Sequence, residues 1–145
     1  MKAFKTYTGR INREDCDLYG HMNTLKYIDK FYAAADVFLP EIGLGEPGLF
    51  HKGLGVAYLE FNHTYLKECF EGEIIEIFGE IVDKGSKVMS LKQWMKYPDQ
   101  EVILSESLLK FLVFDLKSRK SMRLDDERLK EILDWKAIRG MSSQD

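Results

Sequence analysis

One long apolar-periodic segment followed by four strand-like segments most constrains this chain. Leu25, Ile28, Phe31, Tyr32, Ala35 and Phe38 recur at helical spacing, which predicts a helix over 24–39. Asn23 precedes it as a natural N-cap, and Pro40 with the Gly43, Gly45, Pro47 and Gly48 cluster ends it and begins a loop to about residue 53. The pattern then changes period. Segments 56–66, 73–83, 87–97 and 102–116 read as strands, with Ile75, Ile77 and Gly79 alternating against Glu76, Phe78 and Glu80. Turn-like breaks fall at Glu71-Gly72, Lys84-Gly85-Ser86 and Pro98-Asp99-Gln100. Residues 3–11 form a first strand, and 125–135 an amphipathic C-terminal helix ahead of ten frayed residues. A lone long helix among antiparallel strands can bury its apolar face only if the sheet curls around it. The expected class is α+β.

Length and composition fit a single domain over 1–145, with its core at about 4–135. There is no internal repeat, low-complexity tract or linker. A net charge of −3 argues against a general nucleic-acid binder, although a few local lysines could still hold a phosphate-bearing ligand. No apolar run is long enough for a signal peptide or a membrane span, so the expected setting is cytoplasmic and reducing. Two cysteines, Cys16 and Cys69, make no disulfide framework. Cys16 lies between Asp15 and Asp17, whose charges disfavour a thiolate, so it is not expected to be a nucleophile.

The chemistry concentrates in Asp15-Cys16-Asp17-Leu18-Tyr19-Gly20-His21-Met22-Asn23. These residues place carboxylates, a glycine turn, an imidazole and a carboxamide where a helix begins. A helix N-terminus carries unpaired N–H groups and partial positive charge, which can hold an anion or polarise a carbonyl. The turn at Gly20 can bring Asp17 back beside that helix start.

Asp15, Asp17, Gly20, His21, Met22, Asn23 and Tyr27 together resemble the opening motif of hot-dog-fold acyl-CoA thioesterases, the 4-hydroxybenzoyl-CoA thioesterase-like family. Weaker echoes are Tyr65, Gly72 and Glu73 after the second strand, where Glu68 replaces the family's proline. Lys84-Gly85-Ser86-Lys87 echoes its basic turn, and Val113-Phe114-Asp115 a late strand pattern. The resemblance covers roughly residues 5–135. It implies a hot-dog fold, a curled antiparallel sheet wrapped around one long helix, and thioester hydrolysis with no metal or organic cofactor. It also implies a homodimer or homotetramer, because such sites are built between paired subunits. A long outer strand left with an open edge points to pairing as well.

Within that resemblance Asp17 aligns with the catalytic aspartate, as base or as nucleophile, and Thr24 with the backbone N–H aimed at the thioester oxygen. Asp17 can equally be an Asx-turn residue bonding the loop backbone; Asp15 is read as structural. Asn23 has two compatible readings, an N-cap and a carboxamide that orients water or carbonyl. His21 is a base by its ordinary pKa or a loop anchor. Tyr27 and Tyr65 join the substrate-binding set. His63 faces either the pocket or, as a cross-strand polar residue, outward; it and His51 lack metal-ligand spacing. Lys84, Ser86 and Lys87 could bind coenzyme A phosphates or form a solvated hairpin turn. Phe31, Tyr32, Phe38, Phe61 and Trp94 are mainly core candidates. The expected partner is an acyl-CoA or acyl-carrier-protein substrate, with no nucleic acid and no membrane. The alternative is a non-catalytic binder of an apolar or acyl ligand on the same scaffold. A hot-dog dehydratase is disfavoured because its His-Phe-Pro type motif is missing.

Overall fold

The computed structural model describes residues 3–46 and 48–134. Strand β1 (Phe4–Arg10) leads through a 3-10 turn (Arg13–Asp15) and the motif loop into helix α1 (Thr24–Glu41). A one-turn helix α2 (Gly48–His51) precedes strands β2 (Leu54–Tyr65), β3 (Ile74–Lys84), β4 (Val88–Lys96) and β5 (Ile103–Asp115), and helix α3 (Glu127–Ile132) follows. The strands form one sheet in the order β1-β3-β4-β5-β2, each pair antiparallel. Four strands follow from period-2 patterning between turn residues, and each lies within two residues of its expected span. The expected C-terminal helix is shorter, Glu127–Ile132, and Trp135 lies outside the described residues.

The sheet curls around α1, as the hot-dog arrangement requires. Tyr27, Phe31, Ala34, Ala35, Phe38 and Leu39 make the buried stripe of α1. They pack on Ile75, Ile77 and Ile81 of β3, Met89, Leu91 and Met95 of β4, and Leu109 and Phe111 of β5. Gly79 lets the helix sit close here, since a Cβ would stand 3.0 Å from the Phe38 ring and the ring would have to shift. Phe38 also stacks on Phe4 at 4.6 Å. The buried stripe is displaced from the expected one. Leu25 and Tyr32 are exposed, and Tyr32 leans toward β2 against Tyr58 and Phe61. Trp94 is not a core residue; it stacks on Phe78, its register partner on the outer face, at 6.1 Å.

Pro40 does not stop α1. It occupies the last turn, where only the bond to the Asp36 carbonyl is forfeited, and the helix runs on to Glu41. The actual terminator is Gly43, at φ 90°, where Ile42 N–H donates to the Leu39 carbonyl at 3.1 Å and Gly43 N–H to the Pro40 carbonyl at 3.0 Å. A side chain at Gly43 would collide with the Ile132 carbonyl, and Asp134 N–H donates to the Ile42 carbonyl at 2.8 Å. The segment after α3 is thereby locked onto the end of α1.

Candidate active site

The motif loop is held from below. Asp15 is buried, and its Oδ2 accepts from Asn12 N–H at 2.9 Å. Lys30 Nζ on α1 reaches Asp15 Oδ2 at 3.5 Å and the Tyr7 hydroxyl at 3.4 Å, with both charged side chains only 11–12% exposed. Asn23 N–H donates to the Asp15 carbonyl at 2.8 Å, and Met22 N–H to the Cys69 carbonyl at 2.8 Å. Asp15 is thus the loop's anchor, as its position at the strand end suggests.

Above this anchor the chain forms a tight hairpin. Cys16 bridges Met22, Asp17 N–H donates to the His21 carbonyl at 3.1 Å, and Gly20, at φ 88°, closes the turn onto the Asp17 carbonyl. Asp17 is partly exposed, and its Oδ1 accepts from Tyr19 N–H at 2.9 Å, an Asx turn. Among the described residues no hydrogen bond engages Oδ2. The structural and chemical readings of Asp17 are therefore compatible, because one oxygen fixes the turn and the other stays available.

The helix start is capped on one side only. Asn23 Oδ1 accepts from Leu25 N–H at 2.9 Å, so the carboxamide oxygen is the N-cap. Thr24 N–H makes no hydrogen bond among the described residues, as the first helical position allows. Thr24 lines a cavity of about 180 Å³ with His21, Tyr27, Tyr65 and Glu68. Asp17 and Asn23 do not line it; Asp17 stands beside His21 across the hairpin. His21 Nδ1 faces the Met22 carbonyl at 3.2 Å, and its Nε2 lies 3.8 Å from Glu68 Oε1. A donating Nδ1–H leaves Nε2 as the basic nitrogen. Tyr27 is buried, donates to the Lys67 carbonyl at 3.2 Å and meets Tyr65 edge-on at 5.2 Å. Tyr65 donates to the Thr24 carbonyl at 3.5 Å. Burial pushes the Tyr27 phenol far up, so it stays neutral. Burial and the nearby Glu71, Asp15 and Asp17 carboxylates push the Cys16 thiol up, against a thiolate nucleophile.

His63 turns inward rather than outward. Its ring contacts Phe61 at 4.3 Å and Phe31 at 5.7 Å, and burial lowers its pKa. It stands in register beside Ser107, which stands beside Gln93. Gln93 is fully buried and donates to the Phe31 carbonyl at 3.1 Å and to Ser107 Oγ at 3.3 Å. This polar row clamps α1 to the sheet at mid-helix, and two of its atoms, His63 Nδ1 and Gln93 Oε1, are buried without a partner among the described residues.

Lys84, Ser86 and Lys87 are not brought to the motif within one chain. The motif packs on the start of β3, and ten residues of strand, about 33 Å, separate that end from Lys84. Lys84 and Ser86 instead line a cavity of about 330 Å³ with Arg123 and Lys130, while Lys87 does not. Arg123 and Lys130 come from the segment around α3, and nothing in their sequence spacing marks them as partners of that turn. Among the described residues no three acidic, histidine or cysteine side chains cluster as a metal site would need, and no helix is long and apolar enough to cross a membrane.

Residues 11–135 match the family model described as the thioesterase-like superfamily. No curated protein matches the chain in sequence. Among solved structures, the Staphylococcus aureus hypothetical protein SAV2348 in complex with CoA is similar at TM-score 0.81 and 19% identity, covering 99% of this chain and 87% of that one. YbaW, a probable thioesterase from Escherichia coli, is similar at TM-score 0.74 and 18% identity, covering 86% and 92%. A 1,4-dihydroxy-2-naphthoyl-CoA thioesterase from Synechocystis is similar at TM-score 0.72 and 13% identity, covering 84% and 89%. At these identities the likeness shows the shared fold alone.

Proposed function

The chain belongs to the thioesterase-like superfamily, and we propose that it hydrolyses an acyl-CoA thioester to free acid and thiol at the start of α1. One observation carries this reading. Thr24, whose N–H has no partner among the described residues, lines a cavity beside a hairpin whose Asp17 keeps one carboxylate oxygen unengaged. A simple apolar binder needs only the oxygen that fixes the turn and has no use for a second, unengaged one near a helix N-terminus. It is what thioester cleavage needs.

In the proposed reaction Asp17 Oδ2 attacks the thioester carbonyl or takes a proton from the water that does. Either course puts negative charge on the carbonyl oxygen, and the Thr24 N–H at the positive end of α1 stabilises it. One well-placed donor of this kind is worth about 3 kcal/mol. Collapse of the adduct expels a thiolate. In the base course the proton that Asp17 took from water returns to that sulfur, directly or through the basic Nε2 of His21, which lines the same cavity. In the nucleophile course the Asp17 acyl anhydride left behind is hydrolysed by water, whose proton reaches the thiolate by the same route and regenerates the carboxylate.

The site is completed by a second copy. β2 is twelve residues long and has β5 on one side only. Leu59 and Tyr65 on this strand, and Leu66 just after it, are exposed. Two such edges pairing antiparallel would bring the motif of one chain toward the Lys84 turn of the other, which supports a carrier-phosphate role for that turn. Purified protein is expected to run at twice the chain mass in light scattering, and a monomer at micromolar concentration would remove the shared site. Free-thiol release from a panel of acyl-CoAs tests the activity itself. Binding without release across the panel would favour the non-catalytic binder.

A further inference from the structure

Another cavity lies away from the motif, at the C-terminal end of α1, and holds about 430 Å³. Leu39, Leu44 and Leu49 with Leu54 and Val56 of β2 give it apolar walls. The Tyr32 and Tyr58 rings meet edge-on at 5.6 Å along one side. Phe61 backs both, its ring 6.4 Å from Tyr32 and 6.0 Å from Tyr58. The charged side chains of the lining are acidic alone, Asp36 of α1 and Glu46 of the loop after it.

This lining lacks a counter-charge. Neither carboxylate has an ion-pair or hydrogen-bond partner among the described residues, and no basic side chain lines the cavity. Burial, and next the Glu46 charge, push the Asp36 carboxyl up. Burial first and the Asp36 charge second push the Tyr58 phenol up to about 12, so both tyrosines meet a guest as neutral rings. The π faces of such rings attract cations, as the two carboxylates do. The walls decide which cation. A bare metal ion wants more oxygen ligands than two side chains give and leaves the apolar surface unused. A primary ammonium brings three donors that each want an acceptor. An alkylated ammonium carries its charge inside a shell of carbon, so it satisfies the carboxylates and the apolar walls together.

We propose that this cavity binds a small molecule bearing an alkylated ammonium group, its charge beside Asp36 and Glu46 and its alkyl carbons against the Tyr32 and Tyr58 rings. Twelve residues of helix, about 18 Å, separate Asp36 from Thr24. The site is therefore distinct from the thioester site of the same chain, and the proposal stands whether or not the thioesterase reading holds.

Choline and 3,3-dimethyl-1-butanol test it, because the two share one shape and differ in the charge at the branched atom. Each is titrated into the purified protein at fixed ionic strength, followed by calorimetry and by the Tyr32 and Tyr58 ring signals in NMR. Choline is expected to saturate the protein with a dissociation constant on the order of millimolar, and the neutral alcohol to bind about 10-fold more weakly or less. Asp36→Asn with Glu46→Gln should abolish the advantage of choline. Tyr32→Leu should weaken choline about 5-fold. These three side chains are exposed, so the fold should tolerate the changes. Equal affinity for the two ligands, a choline response that bypasses the two tyrosine signals, or an advantage that survives the double substitution would overturn the proposal. The comparison of ligands and the ring signals need only the wild-type chain, so they decide the matter even if a variant fails to fold.

Discussion

The two poles of α1 are built in opposite ways. At the helix start nearly every group that matters comes from one run, residues 15–24, folded back on itself by Gly20 and bolted down by Asp15 and Lys30. At the helix end the cavity walls come from α1, the loop after it and β2, and the neighbouring basic cavity joins the β3–β4 turn to the segment around α3. A local site depends on turn and cap geometry. An assembled site depends on everything that fixes α1 over the sheet, including Gly43 and the Gln93 clamp.

The sharpest break between the poles is expected at Lys30. Lys30→Met leaves Asp15 charged, nearly buried and without its cation, which should cost about 3 kcal/mol of unfolding free energy in urea. The loss should fall on the motif pole, so thioester turnover drops while choline affinity at the other pole is unchanged. A change of that affinity would show that the poles are mechanically coupled.

A smaller effect tests the basic cavity. Replacing Lys84, Arg123 and Lys130 together by Ala should raise KM for an acyl-CoA about 10-fold, with kcat nearly unchanged, by removing local attraction from a chain of net charge −3. A short N-acetylcysteamine thioester, which lacks the nucleotide, should show no such loss. Equal losses on both substrates would reject carrier binding at that pole.

Asn23→Ala should cost about 1 kcal/mol of stability, the worth of an N-cap, and be read as a lowered urea midpoint. The least of the effects concerns His63. Burial holds its folded-state pKa below the unfolded value of about 6.5, so the fold favours the neutral ring. That stability is fully present above pH 6.5 and is lost as pH falls toward the folded pKa. His63→Phe should flatten the stability decline between pH 7.5 and 5.5; an unchanged slope would show that other groups set it.

The same contrast explains what could be read from residues alone. Helix, strands and the motif loop are written in local periodicity and turn chemistry, so their spans emerge from the sequence, and the curl of the sheet follows from having one long helix to cover. The place where α1 ends was not legible, because Pro40 in a last turn is tolerated and the collision that makes Gly43 necessary involves Ile132, far along the chain. The inward turn of His63 follows from its pairing with Ser107, and Trp94 faces out because its neighbours Gln93 and Met95 face in. Arg123 and Lys130 reach the Lys84 turn only after β4 and β5 have been laid down between them. Long-range register decides these positions, and a single sequence does not display register.

The central claim is that the start of α1 hydrolyses a thioester with the Asp17 carboxylate, and steady-state turnover of Asp17→Asn on an acyl-CoA that the wild type cleaves measures it directly. The substitution keeps the side chain's size and its acceptor for Tyr19 N–H, so the hairpin should persist. Turnover is expected to fall by roughly 10²–10⁴-fold with the unfolding midpoint little changed. Near-wild-type turnover in Asp17→Asn, together with its abolition in His21→Ala, would make the imidazole the base and contradict the assignment.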